Sequence, residues 1–381
     1  MAGLYIHVPF CSQRCVYCDF YLTTTSRDTA TYAAAVRREA ARLGAEFGRP
    51  ALTTLYLGGG TPSLLPVEDL ATIVGAVHDH FDTSTLAEVT VEANPEHLSP
   101  QWLRDAKALG ATRLSLGVQS FFDEDLAWMN RAHDAATAEQ GVADTAAVFD
   151  DFSVDLIFGL PEQPFELWGA NLEKALRLGA THISAYSLTV EPRTPLEKMV
   201  RAGTVVAADD DALRERFLFT HRYLEERGLA HYEVSNYARP GLESRHNSGY
   251  WTHADTLAIG PSAHSFWRET RSRAWRWADA QPLARWQALV EGGHAPTDWR
   301  ERLDADALAD EAVLLGLRQL RDGLSLDRME RDYGVDLLTD KRAELSALER
   351  GGLLTVGTDR IWLTPEGAAV ADAVALKLVG A

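Results

Sequence analysis

Leu4-Tyr5-Ile6-His7-Val8-Pro9-Phe10-Cys11-Ser12-Gln13-Arg14-Cys15-Val16-Tyr17-Cys18 runs from a β-branched and aromatic stretch directly into three cysteines. Leu4–Val8 reads as a short strand. The chain has 3 Cys in all, and every one lies in this C-x3-C-x2-C loop. Cysteine thiolates are the usual protein ligands of iron–sulfur clusters. Three of them can hold three corners of a cubane and leave the fourth iron without a protein ligand. An iron with a free coordination position is a place for chemistry.

Other uses of the three thiols can be weighed on spacing. An odd number at such tight spacing disfavours a disulfide framework. Zinc stays open at this point. A structural zinc site takes four protein ligands, commonly as two separated pairs. No second Cys pair exists, and His7, the available fourth donor, lies in the strand run.

Downstream, strands and helices alternate. Helical stretches are expected near 29–46, 67–80, 100–109, 123–148 (a pair), 166–178 and 210–227. Strands are expected at 55–57, 88–92, 113–118, 153–158, 182–188 and 231–235. Six strand–helix units in a row predict an α/β fold with parallel strands joined by right-handed crossovers, a partial (β/α)6 barrel of TIM-like kind. Functional residues in such sheets gather at the C-terminal strand ends. The cysteine loop follows the first strand, Gly58-Gly59-Gly60-Thr61-Pro62 the second, Glu92 ends the third, and Gln119 lies just past the fourth.

The predicted domains are 1–236, a core α/β domain; 237–303, an aromatic-rich connecting region; and 304–381, a C-terminal domain. The last reads as helices at 310–321 and 337–350 and a hairpin of 353–356 with 361–363, a winged-helix-like α+β unit. Gly351-Gly352 supplies the C-cap of the second helix. A net charge of −18 disfavours nucleic acid as a partner, since phosphate binding needs clustered Lys and Arg. No apolar run approaches the roughly 20 residues that span a bilayer. The N-terminal residues carry no basic n-region or cleavage site, so a cytoplasmic location is expected, one that suits reduced thiols.

The cysteine loop after a first strand, with G-G-G-T-P after a second, resembles the radical S-adenosylmethionine (SAM) superfamily, in the group around the oxygen-independent coproporphyrinogen III oxidase HemN. The resemblance runs the length of the chain. It implies a radical SAM core followed by a HemN-type C-terminal domain, a [4Fe–4S] cluster on Cys11, Cys15 and Cys18, and SAM at the open iron. It further implies that Tyr5, Tyr17, Gly59 and Glu92 line that SAM, and that Gly60, Thr61, Gln119, Arg131 and Asp155 match positions holding a second SAM. Read as residues alone, Arg131 and Asp155 are equally a structural ion pair at the barrel rim.

Two features separate the chain from the oxidase. Phe20 stands where the oxidase has a fourth cysteine two places after the third. Arg245-His246-Asn247-Ser248-Gly249-Tyr250-Trp251 matches the HNxxYW mark of HemW-type heme chaperones. A neutral imidazole is a common axial ligand of heme iron, and Tyr and Trp offer flat faces to a porphyrin. By that resemblance His246 is a heme ligand oriented by Asn247. By its surroundings in sequence it is a satisfied polar contact in an aromatic core. His264 reads as structural.

The expected function is therefore a heme chaperone carrying [4Fe–4S], SAM and heme. Its partners are heme and heme-acceptor proteins, respiratory membrane proteins among the candidates. The alternative is a radical SAM enzyme, either the oxidase or a HemN-like methyltransferase or cyclopropanase, with an electron donor wherever SAM is cleaved. The chaperone reading needs no catalytic residue.

Overall fold

The computed structural model describes residues 2–25 and 28–380. Six strands form its centre: β1 (Ala2–Val8), β2 (Leu52–Gly59), β3 (Glu88–Ala93), β4 (Arg113–Gln119), β5 (Phe152–Phe158) and β6 (His182–Ser187). They pair in chain order, and every pair is parallel. Each is buried along most of its length, as strands covered on both faces must be. Helices α1 (Thr29–Glu46), α2 (Val67–His80), α3 (Pro100–Ala108), α4 (Asp123–Trp128), α5 (Ala135–Ala146) and α6 (Phe165–Arg177) connect them.

Helix starts are fixed by side-chain caps that the sequence spells out. Asp28 accepts from the Thr31 amide at 3.0 Å, Ser99 from Trp102 at 3.1 Å and Asp134 from Thr137 at 2.8 Å. Each satisfies an amide that a first helical turn leaves without a partner.

The seventh predicted strand departs from the parallel pattern. Beyond α7 (Pro195–Arg201) and α8 (Asp210–Glu225), β7 (Ala230–Glu233) pairs antiparallel with β8 (Asn236–Ala238), which pairs antiparallel with β6. The link from Glu233 to Asn236 is too short for a crossover, so the chain turns back.

Residues 237–303 extend the same sheet past its other edge. After α9 (Arg245–Trp251), β9 (Thr256–Ile259) pairs parallel with β1. Strands β10 (His264–Thr270), β11 (Arg273–Asp279) and β12 (Thr297–Leu303) follow as an antiparallel meander. The resulting sheet has 12 strands, with β12 and β7 at its ends, so it is open rather than closed.

The C-terminal unit has a core of its own around Val313, Leu317, Leu324, Met329, Leu345, Ile361 and Val374. Its first helix lies at Ala305–Gly316, five residues earlier than the pattern predicts at each end. Asp304 caps it at 3.0 Å from the Ala307 amide. The predicted helix over 337–350 is two pieces, Leu337–Asp340 and Arg342–Arg350, broken at Lys341. Gly352, at φ 72°, closes the second piece, with Leu353 N–H donating to Leu348 O at 3.0 Å. The hairpin of Leu354–Val356 and Arg360–Leu363 gains a third strand, Leu324–Ser325, giving the winged-helix-like α+β arrangement.

Candidate functional site

The C-terminal ends of β1–β6 surround a cavity of about 380 Å³ whose wall includes Cys11, Cys15 and Cys18. Backbone pairing fixes the cysteine loop on three sides. Cys11 N–H donates to Thr23 O at 3.1 Å, Val16 N–H to Met129 O at 3.1 Å, and Leu196 N–H to Val16 O at 2.8 Å. Asn130 clamps it further, exchanging side-chain and backbone bonds with Arg14 O (2.8 Å) and Gln13 Nε2 (2.9 Å).

The donor set fits an iron–sulfur cluster. All three thiols are free. Thr61 Oγ1 donates to Cys11 Sγ at 3.5 Å, and Arg131 Nη1 to Cys15 Sγ at 3.4 Å. Donors aimed at sulfur stabilise thiolate charge in a cluster shell. Burial pushes the Cys11 thiol up and holds Cys18 up at about 11, so iron must displace their protons. Among the described residues no three His, Cys, Asp or Glu side chains converge on one ion. His7 is also spent: Nδ1 meets Tyr5 Oη at 3.1 Å and Nε2 meets Tyr21 O at 2.8 Å. The fourth donor that a zinc reading needs is therefore engaged elsewhere.

Each glycine of the G-G-G run answers a separate packing demand. A Cβ on Gly58 would lie 2.7 Å from both Glu92 Oε1 and the Tyr56 ring. Gly59 has φ 106°, a left-handed backbone, and a Cβ there would lie 2.5 Å from the His7 ring. A Cβ on Gly60 would lie 2.7 Å from Val8 O and Phe10 O. The close approach these residues permit is of chain to chain, seating the cysteine loop against the end of β2.

Glu92 sits at the centre of the wall. It accepts from Tyr56 Oη at 2.8 Å and Gly59 N–H at 2.9 Å. Burial, reinforced by the nearby Asp155 carboxylate, lifts its carboxyl to about 7. Asp155 accepts from Ser115 Oγ at 3.0 Å and Ser153 Oγ at 2.9 Å, and burial raises it as well. Arg131 donates to Gly117 O at 2.6 Å and Asn94 Oδ1 at 2.9 Å as well as to Cys15. Arg131 and Asp155 thus each have other partners, in place of the ion pair the residues alone allow. Gln119 lies on the same wall at φ 68°, beside an irregularity in the β4–β5 register. A non-glycine residue held there is strained, and such strain collects at working sites.

Tyr17 lines the cavity and packs on Leu126, Met129, Ile157 and Leu160. Tyr5 lies deeper, its hydroxyl on His7 and its ring stacked 6.0 Å from Tyr56. Phe20, where the oxidase has a fourth cysteine, stands 58% exposed at the cavity wall.

His246 is placed apart from the thiols, toward the N-terminal strand ends. Ser244 caps α9, and the Arg245 and His246 amides donate to Glu88 at 2.7 and 3.0 Å. Glu88 opens β3, so this carboxylate pins the start of α9 beneath the barrel. The imidazole Nδ1 meets Thr54 Oγ1 at 2.8 Å and Nε2 meets Tyr250 Oη at 2.9 Å. Its ring stacks 5.0 Å from Tyr56, and burial holds it neutral, down to about 3. Thr54 and Tyr250 orient the ring in the role expected of Asn247. Trp251 turns toward the C-terminal unit, where Gln319 Nε2 donates to its carbonyl at 3.2 Å. His264 packs edge-on against Trp299.

Asn94 went unread in the sequence. It bridges Thr61, at 3.4 Å, and Arg131, and so couples the donors that face Cys11 and Cys15. The signal was available: Asn94 lies two residues beyond Glu92, and alternate residues along one strand share a face.

The radical SAM superfamily model matches residues 5–175, and the HemN C-terminal domain model matches residues 303–370. The heme chaperone HemW of Mycobacterium tuberculosis is 39% identical, covering 99% of this chain and 95% of that protein. The heme chaperone HemW of Bacillus subtilis is 32% identical, covering 96% of each. The mitochondrial radical S-adenosyl methionine domain-containing protein 1 of Danio rerio is 32% identical, covering 98% and 86%. The solved structure of coproporphyrinogen III oxidase HemN from Escherichia coli has a TM-score of 0.82 at 22% identity, covering 99% and 90%, a likeness of fold.

Proposed function

This chain belongs to the radical SAM superfamily, in the group of the HemW heme chaperones, and on that premise we propose that it binds heme and delivers it to acceptor proteins. The observation that carries the reading is 39% identity to a heme chaperone across 99% of the chain. Phe20 in the position of the oxidase's fourth cysteine supports it. Superfamily membership brings a [4Fe–4S] cluster and SAM. Cys11, Cys15 and Cys18 would hold the cluster, which when bound would supply a free iron position for SAM and one electron for its reduction. Among the described residues no helix is long and apolar enough to cross a membrane. Respiratory membrane proteins as acceptors, and a cytoplasmic setting, belong to the same proposal.

Glu92 and Asp155 offer acceptors on the wall of the cavity that the thiols also line, suited to ribose hydroxyls or an ammonium group. Tyr17, Gly59, Gly60, Thr61, Gln119 and Arg131 complete that wall, and Tyr5 supports it from beneath. Glu92→Gln is expected to weaken SAM binding about tenfold, the worth of one hydrogen bond to a charged group, while sparing the cluster. Wild-type affinity should rise with pH through about 7 as Glu92 ionises, since the anion is the better acceptor. The variant should lose that rise. Equilibrium SAM binding to reconstituted protein between pH 6 and 8 checks both; equal affinities at pH 8 would remove Glu92 from the site.

The intact SAM pocket favours a second reading, a radical SAM enzyme. One experiment separates the two. Reconstituted full-length protein is titrated with heme and, separately, reduced and incubated with SAM and coproporphyrinogen III. Saturable heme uptake followed by transfer to an apo-hemoprotein is expected, with no vinyl product. Vinyl product at multiple turnovers would replace the chaperone reading by the enzyme.

A further inference from the structure

Arg131 stands just beyond α4 and turns its guanidinium onto the cysteine loop, where Nη1 reaches Cys15 Sγ at 3.4 Å. The resemblance matches this residue to a contact with a second SAM. The structure engages three of its five N–H donors elsewhere. One goes to that sulfur, and Nη2 gives the other two to Asn94 Oδ1 at 2.9 Å and Gly117 O at 2.6 Å. We infer that Arg131 is a positioning residue that acts through Cys15 to set the reduction potential of the [4Fe–4S] cluster, holding it higher than the three thiolates alone would, and that Asn94 locks it in that role. The inference rests on the superfamily's cluster and not on heme delivery, so the heme experiments above leave it standing.

The guanidinium cannot turn away without breaking a clamp. Asn94 Oδ1 accepts from Arg131, and its Nδ2 donates to Thr61 Oγ1 at 3.4 Å and Glu96 Oε1 at 3.3 Å. Guanidinium nitrogens only donate, so the Asn94 amide has a single workable orientation. Behind it, Glu96 Oε2 faces His133 Nδ1 at 2.9 Å, and His133 Nε2 faces Val118 O at 3.1 Å. Burial pushes the Glu96 carboxyl up, but the His133 hydrogen bond and the Arg131 charge outweigh it and hold it down at about 2. Glu96 thus anchors Asn94 as an anion while lying closer to His133. Gly117 leaves the clamp its room: a Cβ there would lie 2.8 Å from Asn94 Oδ1 and 3.5 Å from Arg131 Nη2.

The direction of the effect follows from charge. Cys15 Sγ takes a share of the added negative charge when a [4Fe–4S] cluster gains an electron. A hydrogen bond from a cation therefore stabilises the reduced state more than the oxidised one, and hydrogen bonds to the sulfurs are among the levers that set such potentials. None of the three groups that Arg131 bonds is a carboxylate, so no direct ion pair cancels its charge there. The electron comes from a low-potential one-electron donor. No proton moves with it, because a guanidinium stays protonated in proteins. Thr61, 3.5 Å from Cys11 Sγ, is a neutral donor and a weaker lever of the same kind.

The test is an anaerobic redox titration of the reconstituted full-length protein without SAM. Dithionite is the reductant, and the electron paramagnetic resonance of the reduced cluster is the reading. With SAM left out, a lost SAM contact cannot move the result. Arg131→Gln should make reduction about tenfold less favourable, a fall of about 59 mV for a one-electron couple. Arg131→Lys, which keeps the charge but not the planar fork, should recover part of that fall. Asn94→Ala, which keeps the guanidinium but removes its lock, should lower the potential by less than Arg131→Gln. An Arg131→Gln potential equal to wild type overturns the inference and leaves the cluster assignment intact. Should Arg131→Gln assemble no cluster, Asn94→Ala decides: a potential below wild type supports the inference, and a wild-type potential overturns it. Wild type that takes up no iron overturns the cluster and the inference together.

Discussion

Cys11→Ala, Cys15→Ala and Cys18→Ala should each abolish the [4Fe–4S] cluster and leave the barrel folded. The chain holds no other thiol to recruit. Two thiolates leave two irons of a cubane without protein ligands, and nearby substitutes are engaged: His7 carries two hydrogen bonds and Glu92 two more. The fold does not lean on the metal. Its main core runs through β1–β6 and α1, α2, α3, α5 and α6, from Leu4 and Ile6 to Leu156 and Trp168, all fully buried away from the loop. Cys15, 8% exposed, contributes only as a small buried hydrophobe, so its loss costs about 1 kcal/mol. Iron and sulfide analysis after anaerobic reconstitution should read near zero for each variant. Thermal unfolding of the apo-proteins should fall within a few degrees of apo wild type. Four irons retained by any of the three variants would contradict the ligand set. Collapse of the apo-variants alone would contradict the independence of the barrel.

The parts of this molecule written in local chemistry were legible, and the parts written in long-range contacts were not. α1 and α2 lie where the pattern predicts, Thr29–Glu46 and Val67–His80, because Asp28 and Pro66 set their starts. The six parallel strands follow from the alternation alone. β7 was misread because its partner choice depends on a two-residue link rather than its own side chains. The sheet formed by 256–303 was missed because its pairing is decided by β1, some 250 residues away. At the site, the thiols and the glycine run announced themselves, but the purpose of the glycines did not. The run of glycines alone leaves open what its missing side chains make room for, while the observed neighbours of Gly58, Gly59 and Gly60 are Glu92, His7 and the carbonyls of Val8 and Phe10. His246 shows the same limit. Its motif is local, yet Thr54, Tyr56 and Glu88, which fix its position, come from distant strands.

Those glycine neighbours make Gly60→Ala a disruptive methyl group to add beside the thiols. The new Cβ would sit 2.7 Å from two backbone carbonyl oxygens and 3.0 Å from the Pro9 carbonyl carbon. Backbone cannot rotate aside as a side chain can, so the turn after β2 and the segment 8–10 must separate. That movement also strains the Gly60 N–H bond to Val8 O, now 2.7 Å. Overpacking of this kind costs about 1–3 kcal/mol, and two carbonyls at one Cβ put it at the upper end. In a domain of this size the melting temperature should drop roughly 5–10 °C. Phe10 adjoins Cys11, so the displaced segment carries the first cluster ligand with it, and iron content after reconstitution should fall alongside stability. Gly75→Ala is the matched control. Gly75 lies within α2, has no neighbour within 4 Å of its Cβ position and no left-handed backbone. There alanine should be neutral or stabilising by up to about 1 kcal/mol through helix propensity. If the two variants melt together and bind equal iron, the G-G-G run is not what seats the cysteine loop.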